Sequence, residues 1–241
     1  MSGAVLIPVK AFGQAKARLS THLSPTQRHC LARSLASAVI EAIRDHDDGL
    51  AIHIACDDDE VAEWARDSGA QVLWGPGLGL NGAIDTGIAS LAATGVARVA
   101  VVHADLTRPE RLGVLLGSHL VSPPVPPPPE HTRPIPTPSV VLVPDQHRDG
   151  TNIIIQPTEH PVPASYGPGS FQRHLSLAMD RARSLSWSVT VRYDPLLGLD
   201  IDTVEDLSHP LATRWMNEVS NTASTATTAT AEIEHSTEST T

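Results

Sequence analysis

"LAIHIACDDDEVAEWARDSGAQVLWG", residues 50–75, decides the fold. Its first seven residues form a short apolar run suited to a buried strand. Aspartates follow at a helix start, Gly69 stands at the helix end, and "AQVLWG" opens another strand. The same unit precedes it. "AVLIPV" (4–9) reads as a strand, and "SPTQRHCLARSLASAVIEAI" (24–43) as a helix with Ser24 as N-cap, Pro25 at the first helical position and apolar residues recurring from Leu31 to Ala42. The unit recurs in "LNGAIDTGIASLAATG" (80–95), after which "ARVAVVHADL" (97–106) forms a fourth strand running into Asp105. Alternation of this kind specifies an α/β fold, a mostly parallel sheet flanked by helices. In such sheets ligands gather at the carboxyl ends of the strands, so the residues just after each strand are the functional candidates.

Composition bounds the rest. The chain has 241 residues and a net charge of −10, from 17 basic and 27 acidic side chains, which argues against bulk electrostatic binding to nucleic acid or an anionic membrane. With only two cysteines there is no disulfide framework, and no stretch approaches 18 consecutive apolar residues; a cytoplasmic enzyme is the expectation. One domain is expected over 1–216. It is interrupted at 121–138 by an insertion with nine prolines in eighteen positions, which excludes helix or sheet interior. Residues 217–241, rich in Ser and Thr, are expected to be a disordered tail.

The residues after the strands carry the chemistry. "PVKAFGQAKARLS" (8–20) presents Lys10, Lys16 and Arg18 in a glycine-containing loop ahead of a helix, which suits a polyphosphate and equally a solvated basic loop. "GPGLGLNGA" (75–83) is a second glycine-rich turn, holding Asn81, where the backbone can approach a base or ribose or simply bend at the surface. The P-loop and dinucleotide-binding glycine patterns are absent, as are a "G-x-S-x-G" elbow and any Cys/His zinc set. Asp105 lies at one strand end. Asp200 and Asp202, in "LGLDIDTVEDL" (197–207), lie at another, and neighbouring strands would make a two-carboxylate magnesium site. Asp202 has a competing local role, because Glu205 stands at capping-box spacing from it; Asp200 has none. Thr151, after the "DQHRDG" turn, and Ser170, after "YGPG", offer hydroxyls to a small carboxylate or phosphate ester, although Ser170 can equally be an N-cap.

Taken in order, "LIPVKAFGQAKARLS", "GLNGAI", "HADL", "PDQHRDGTNIIIQP", "YGPGSFQRH" and "GLDIDTVEDL" resemble the 2-phospho-L-lactate / phosphoenolpyruvate guanylyltransferase family of coenzyme F-420 biosynthesis, over roughly residues 4–212. The resemblance implies a nucleotide-diphospho-sugar transferase type of nucleotidyltransferase fold. It implies an enzyme that takes GTP and a three-carbon phosphoester with Mg2+, releases diphosphate, and passes its product to a downstream transferase; a homodimer is a further expectation. By matching motif, Thr151, Gly167 and Ser170 would bind the phosphoester, Asp105 and Asp200 the magnesium, and Lys10, Lys16 and Asn81 the nucleotide, with Lys16, Asp105 and Asp200 as the catalytic set. Asp202 would cap the helix that begins at Thr203. The chain departs from the family pattern at Thr107 and Val204, where proline is usual. The residues themselves do not choose between phosphoenolpyruvate and phospholactate; the resemblance implies phosphoenolpyruvate only by association, because the Ala/Arg-rich, Lys-poor composition is typical of the high-GC bacteria in which the family is associated with that acceptor. The rivals are a nucleotidyltransferase of other specificity, such as a molybdenum cofactor guanylyltransferase, and a non-catalytic nucleotide-binding protein.

Overall fold

The computed structural model describes residues 3–47, 49–120 and 139–217; the proline-rich insertion and residues 218–241 of the expected tail lie outside the described residues. Seven strands form one sheet in the order β3-β2-β1-β4-β6-β5-β7. They are β1 (Gly3–Pro8), β2 (Ala51–Cys56), β3 (Gln71–Trp74), β4 (Arg98–Val102), β5 (Ser139–Pro144), β6 (Thr151–Pro157) and β7 (Ser188–Val191). β1 pairs in parallel with β2 and β4, β2 with β3, and β5 with β7, whereas β6 runs antiparallel between β4 and β5. The sheet is mostly parallel, as the strand-helix alternation predicts. The reversed strand comes from the second half of the chain, where that alternation breaks down.

Helices cover both faces, and the period-2 alternation along each strand explains how. Val5 and Ile7 of β1 face α1 (Pro25–Arg44), α2 (Asp59–Asp67) and α4 (Leu112–His119), in a core that includes Val39, Ile43, Trp64 and Leu116. Ala4 and Leu6 point the other way, into a core with Ile84, Ile88 and Leu91 of α3 (Gly79–Ala93) and with Phe171 and Ala178 of α5 (Ser170–Leu185). Such strands are apolar on both faces, so they read in sequence as continuous apolar runs. The start of α1 is as expected: Ser24 accepts from the Gln27 backbone N–H, Gln27 reciprocates, and Pro25 occupies the first turn.

A third, smaller cluster positions the candidate site. Leu19, Leu31, Leu35, Ile201, Leu207 and Trp215 pack together, with Leu19, Leu31, Leu35 and Ile201 fully buried. This cluster pins the loop after β1 to the segment around residue 201. Ile201 is the residue between Asp200 and Asp202, and its burial among these side chains anchors the segment that carries both carboxylates.

Candidate active site

The loop after β1 passes through two short 3-10 turns, Phe12–Gln14 and Ala17–Leu19. Between them Lys16 adopts a left-handed backbone, φ 55° and ψ 35°, a conformation that costs a residue with a Cβ about 1 kcal/mol or more. The return is the placement of its ammonium. Lys16 Nζ donates to Asp105 Oδ2 at 2.7 Å and to Asp202 Oδ1 at 3.1 Å, and its side chain is only 6% exposed. Arg18 Nη1 lies 3.9 Å from the other oxygen of Asp202. Burial opposes the charge on Lys16, but the two carboxylates outweigh it and hold the ammonium protonated well above the usual lysine range.

Asp105 lies three residues beyond the end of β4. Asp200 is not at the end of a strand as expected. A single antiparallel bridge between Leu106 and Asp200, with the Thr107 N–H donating to the Leu199 carbonyl at 2.8 Å, fastens the two segments together. One bridge suffices because the buried Ile201 cluster already fixes the segment. The result is a group of three acids, Asp105, Asp200 and Asp202, whose ligand oxygens lie within 4.8 Å of one another. Burial works against ionisation of Asp105 too, yet Lys16 and then His103 hold its carboxyl below the ordinary range. Asp200 has the opposite fate: burial first, then repulsion from Asp105 and Asp202, pushes it up to about 8. One buried lysine among three carboxylates leaves the group short of positive charge. Asp105 Oδ1 is buried with no hydrogen-bond partner among the described residues. Three hard oxygens and an unsatisfied acceptor fit a divalent cation such as magnesium.

The capping expectation for Asp202 is corrected. The helix α6 (Val204–Leu207) is capped by Thr203, one residue later, and the third helical residue is Asp206 instead of Glu205. Asp206 is 4% exposed, and its carboxylate accepts from the Asp202 N–H (3.0 Å), the Thr203 N–H (2.7 Å), the Thr203 hydroxyl (2.9 Å) and Gln146 Nε2 (2.7 Å). This releases the Asp202 side chain to meet Lys16. Sequence reading missed Asp206, although the Thr203–Asp206 spacing also satisfies the box. Replacing Asp206 with Ala leaves several of these donors unpaired, and is expected to cost about 3 kcal/mol or more in chemical denaturation. Wild-type stability in that variant would refute the assignment.

A cavity of about 370 Å3 opens on this group, lined by Lys10, Lys16, Arg18, His103, Asp105 and Asp202 among others. A second cavity, of about 320 Å3, shares Pro8, Val9, Lys10, Gln14 and Leu80 with it and extends to Cys56, Asp57 and Gly75. Together they form a cleft along the carboxyl ends of β1, β2 and β4, where a parallel sheet places ligands.

Asn81 does not turn to this cleft. Its Oδ1 accepts from the Tyr166 N–H at 2.7 Å and its Nδ2 donates to the Tyr166 carbonyl at 3.4 Å, a clamp on the "YGPGS" turn. In that turn Gly167 and Gly169 have φ of 119° and 71°, conformations that L side chains rarely adopt. Gly169, not Ser170, is the N-cap of α5; Ser170 is its first residue and is buried. Thr151, the first residue of β6, is also buried, and its hydroxyl meets His174 Nδ1 at 3.0 Å. His174 closes the "YGPGSFQRH" motif but was not among the candidates, because its position four residues into a helix gives no local sign of what the ring meets.

Comparison with known proteins now decides the family. The family model "Guanylyl transferase CofC like" matches residues 3–114. The phosphoenolpyruvate guanylyltransferase of Rubrobacter xylanophilus is 31% identical over 209 residues, spanning 86% of this chain and 93% of that protein. The chain belongs to the CofC-like guanylyl transferase family. The 2-phospho-L-lactate guanylyltransferase of Methanothermobacter thermautotrophicus is likewise 31% identical, over 86% of this chain and 83% of its own length. The fold extends further than the family. A nucleotide-diphospho-sugar transferase structure from Desulfovibrio desulfuricans superposes with a TM-score of 0.60 at 17% identity, covering 86% of this chain and 85% of that one. A Leptospira borgpetersenii cytidylyltransferase does so with a TM-score of 0.53 at 11% identity, covering 93% and 96%. Among the described residues no helix is long and apolar enough to cross a membrane.

Proposed function

We propose that this member of the family transfers GMP from GTP to phosphoenolpyruvate, releasing diphosphate and forming enolpyruvyl-diphospho-5'-guanosine. The observation that carries the proposal is the group of Lys16, Asp105 and Asp202 lining the cleft at the carboxyl edge of the sheet, with the Asp200 carboxylate beside them. A phosphate oxygen of the acceptor attacks the α-phosphorus of GTP in line; one P–O bond forms as the bond to the departing diphosphate breaks. The acceptor phosphate, with a second pKa near 6 by analogy with phosphorylated side chains, is largely ionised at neutral pH and needs no general base. Catalysis therefore rests on alignment and on neutralising charge.

In this reading Asp105 and Asp200 hold magnesium, with Asp202 as a third oxygen within reach. The bound ion would neutralise the developing negative charge on the phosphates. Lys16 supplies a fixed positive charge beside it, and Lys10, which lines both cavities, reaches the phosphates from the rim. Thr151, Gly167 and Ser170 form the acceptor subsite: two buried hydroxyls and a glycine turn whose backbone can approach an anion closely. Phosphoenolpyruvate is favoured by the Rubrobacter relative and by others named for that acceptor, such as that of Sphaerobacter thermophilus, 29% identical over 91% of its length.

The test is diphosphate release in the presence of GTP and magnesium, with phosphoenolpyruvate, 2-phospho-L-lactate and 3-phosphoglycerate presented in parallel and CTP replacing GTP in a second series. Release is expected with GTP and phosphoenolpyruvate. Release with phospholactate alone would reassign the acceptor, and no release with any acceptor would overturn the proposal.

A further inference from the structure

We infer that His174 is a positioning residue that forces the Thr151 hydroxyl to act as a hydrogen-bond donor toward an anionic phosphoester. The inference rests on the reading of Thr151 as part of the acceptor subsite. The geometry on which it stands is a three-membered chain. The backbone N–H of Ser165 donates to His174 Nε2 at 2.9 Å, and His174 Nδ1 meets Thr151 Oγ1 at 3.0 Å. A backbone amide can only donate, so Nε2 carries its lone pair and the proton of the neutral ring must sit on Nδ1. Nδ1–H then donates to Thr151 Oγ1. With its oxygen accepting from the ring, the hydroxyl proton of Thr151 has to point elsewhere, and dipoles aligned in this way strengthen one another. An imidazolium would set N–H against N–H at Ser165. Burial, then the nearby Arg173 and His103, push the His174 pKa down to about 4, and the ring is fully buried.

The arrangement has a consequence for ligand class. A hydroxyl free to rotate can turn its proton toward either neighbour; with one lone pair of Thr151 Oγ1 taken by the ring N–H, the proton is turned away from His174 and is presented to an acceptor such as a phosphate or carboxylate oxygen. It also ties the first residue of β6 to the turn that carries Gly167 and Ser170, since Ser165 opens that turn and Asn81 clamps the next residue from the other side. One histidine therefore sets the direction of one subsite group and its distance from the others.

The test uses the full-length enzyme and four variants: Thr151→Val, His174→Ala, His174→Asn and the double variant Thr151→Val/His174→Ala. His174→Ala is expected to raise KM for phosphoenolpyruvate about tenfold, the effect of losing one charge-assisted hydrogen bond, with KM for GTP unchanged. His174→Asn, which keeps an N–H near the Nδ1 position, is expected to recover part of that loss. The double variant is expected to be no worse than Thr151→Val. Additive losses in the double variant, or KM for GTP rising in step, would overturn the role of His174 while leaving the subsite reading intact. An unchanged phosphoenolpyruvate KM in Thr151→Val would instead remove the subsite reading, and the inference with it. A readout independent of turnover is the 15N spectrum of histidine-labelled wild-type protein, with the His174 signals assigned by their loss in His174→Asn. A proton on Nδ1 and a bare Nε2 are expected, and the reverse tautomer would refute the inference whatever the kinetics show.

Discussion

Replacing Asp200 with asparagine is expected to reduce guanylyl transfer by a factor on the order of 10^2 to 10^3 or more and, at the same time, to stabilise the metal-free protein. The two effects have one cause. Asp200 is partly buried beside two other carboxylates, and the folded chain holds its pKa at about 8 against an ordinary value of 3.8. Between those values the folded state binds a proton that the unfolded state has released, so stability falls as pH rises through that window and levels off above about 8. Asparagine has the shape without the charge and removes this pH-dependent loss. In the presence of a chelator, the melting temperature of Asp200→Asn should therefore exceed that of wild type by a margin that is small at pH 5 and largest near pH 9. With ionisation of such a group costing on the order of a few kcal/mol, and roughly 2–4 °C per kcal/mol for a chain of this size, the margin should be several degrees. Saturating magnesium should stabilise wild type more than the variant, since only wild type offers the third charge. Melting curves at the two pH values with and without magnesium, beside the diphosphate-release assay, check both halves. A pH-independent margin would contradict the electrostatic account of the group, and near-normal turnover would remove Asp200 from the catalytic set.

Lys16→Met should have the second largest effect and the opposite sign on stability. Removing the ammonium leaves Asp105 and Asp202, now 2.7 Å and 3.1 Å from Nζ, facing Asp200 with only the exposed Arg18, 3.9 Å from Asp202, as a nearby fixed positive charge. Removing one partner of a fully buried ion pair costs about 3–5 kcal/mol; here Asp105 is partly buried and Asp202 about half exposed, so solvent screens the loss, which is expected to be on the order of 2 kcal/mol. The lysine's folded pKa lies above its unfolded one, so its stabilising contribution is fully present below the unfolded value of 10.5 and is lost only as pH rises through the higher folded value. At any assay pH between 6 and 9 the whole loss should therefore be visible. A divalent cation should offset part of it: magnesium is expected to raise the melting temperature of Lys16→Met by more than that of wild type, while transfer stays depressed by about 10^2-fold or more because the fixed charge beside the phosphates is gone. Lys16→Arg should recover stability better than activity, since a planar guanidinium replaces the charge without the compact shape of the ammonium. A Lys16→Met enzyme with wild-type stability and turnover would refute the central place given to this residue.

Much of this protein is legible from sequence because the signals are local. Apolar runs announce β1 to β4, acidic residues open α2, glycines follow α2 and α3, and Ser24, Pro25 and Gln27 write the start of α1 into nearby positions. The candidate acids were legible too, because a carboxylate in an apolar stretch is costly without a partner. What the sequence could not supply is who the partner is. Asp202 stands at capping spacing from Glu205, and local reasoning gives it that role; in the folded chain Thr203 takes the cap and Asp202 turns to Lys16, 186 positions away. Asn81 likewise gave no sign in the sequence of its bond to Tyr166, 85 positions on. His174 stood in the sequence only as the last residue of the "YGPGSFQRH" motif, since its role depends on an amide nine residues before it and a hydroxyl 23 residues before it converging on its two nitrogens. The sequence by itself determined the α/β architecture and the residues able to carry charge at the sheet's edge, because propensity, period and caps act over a few residues. The tertiary structure alone decided which acids meet Lys16 and which hydroxyl meets His174, because charge-charge and hydrogen-bond energies depend on distances that only packing of remote segments sets.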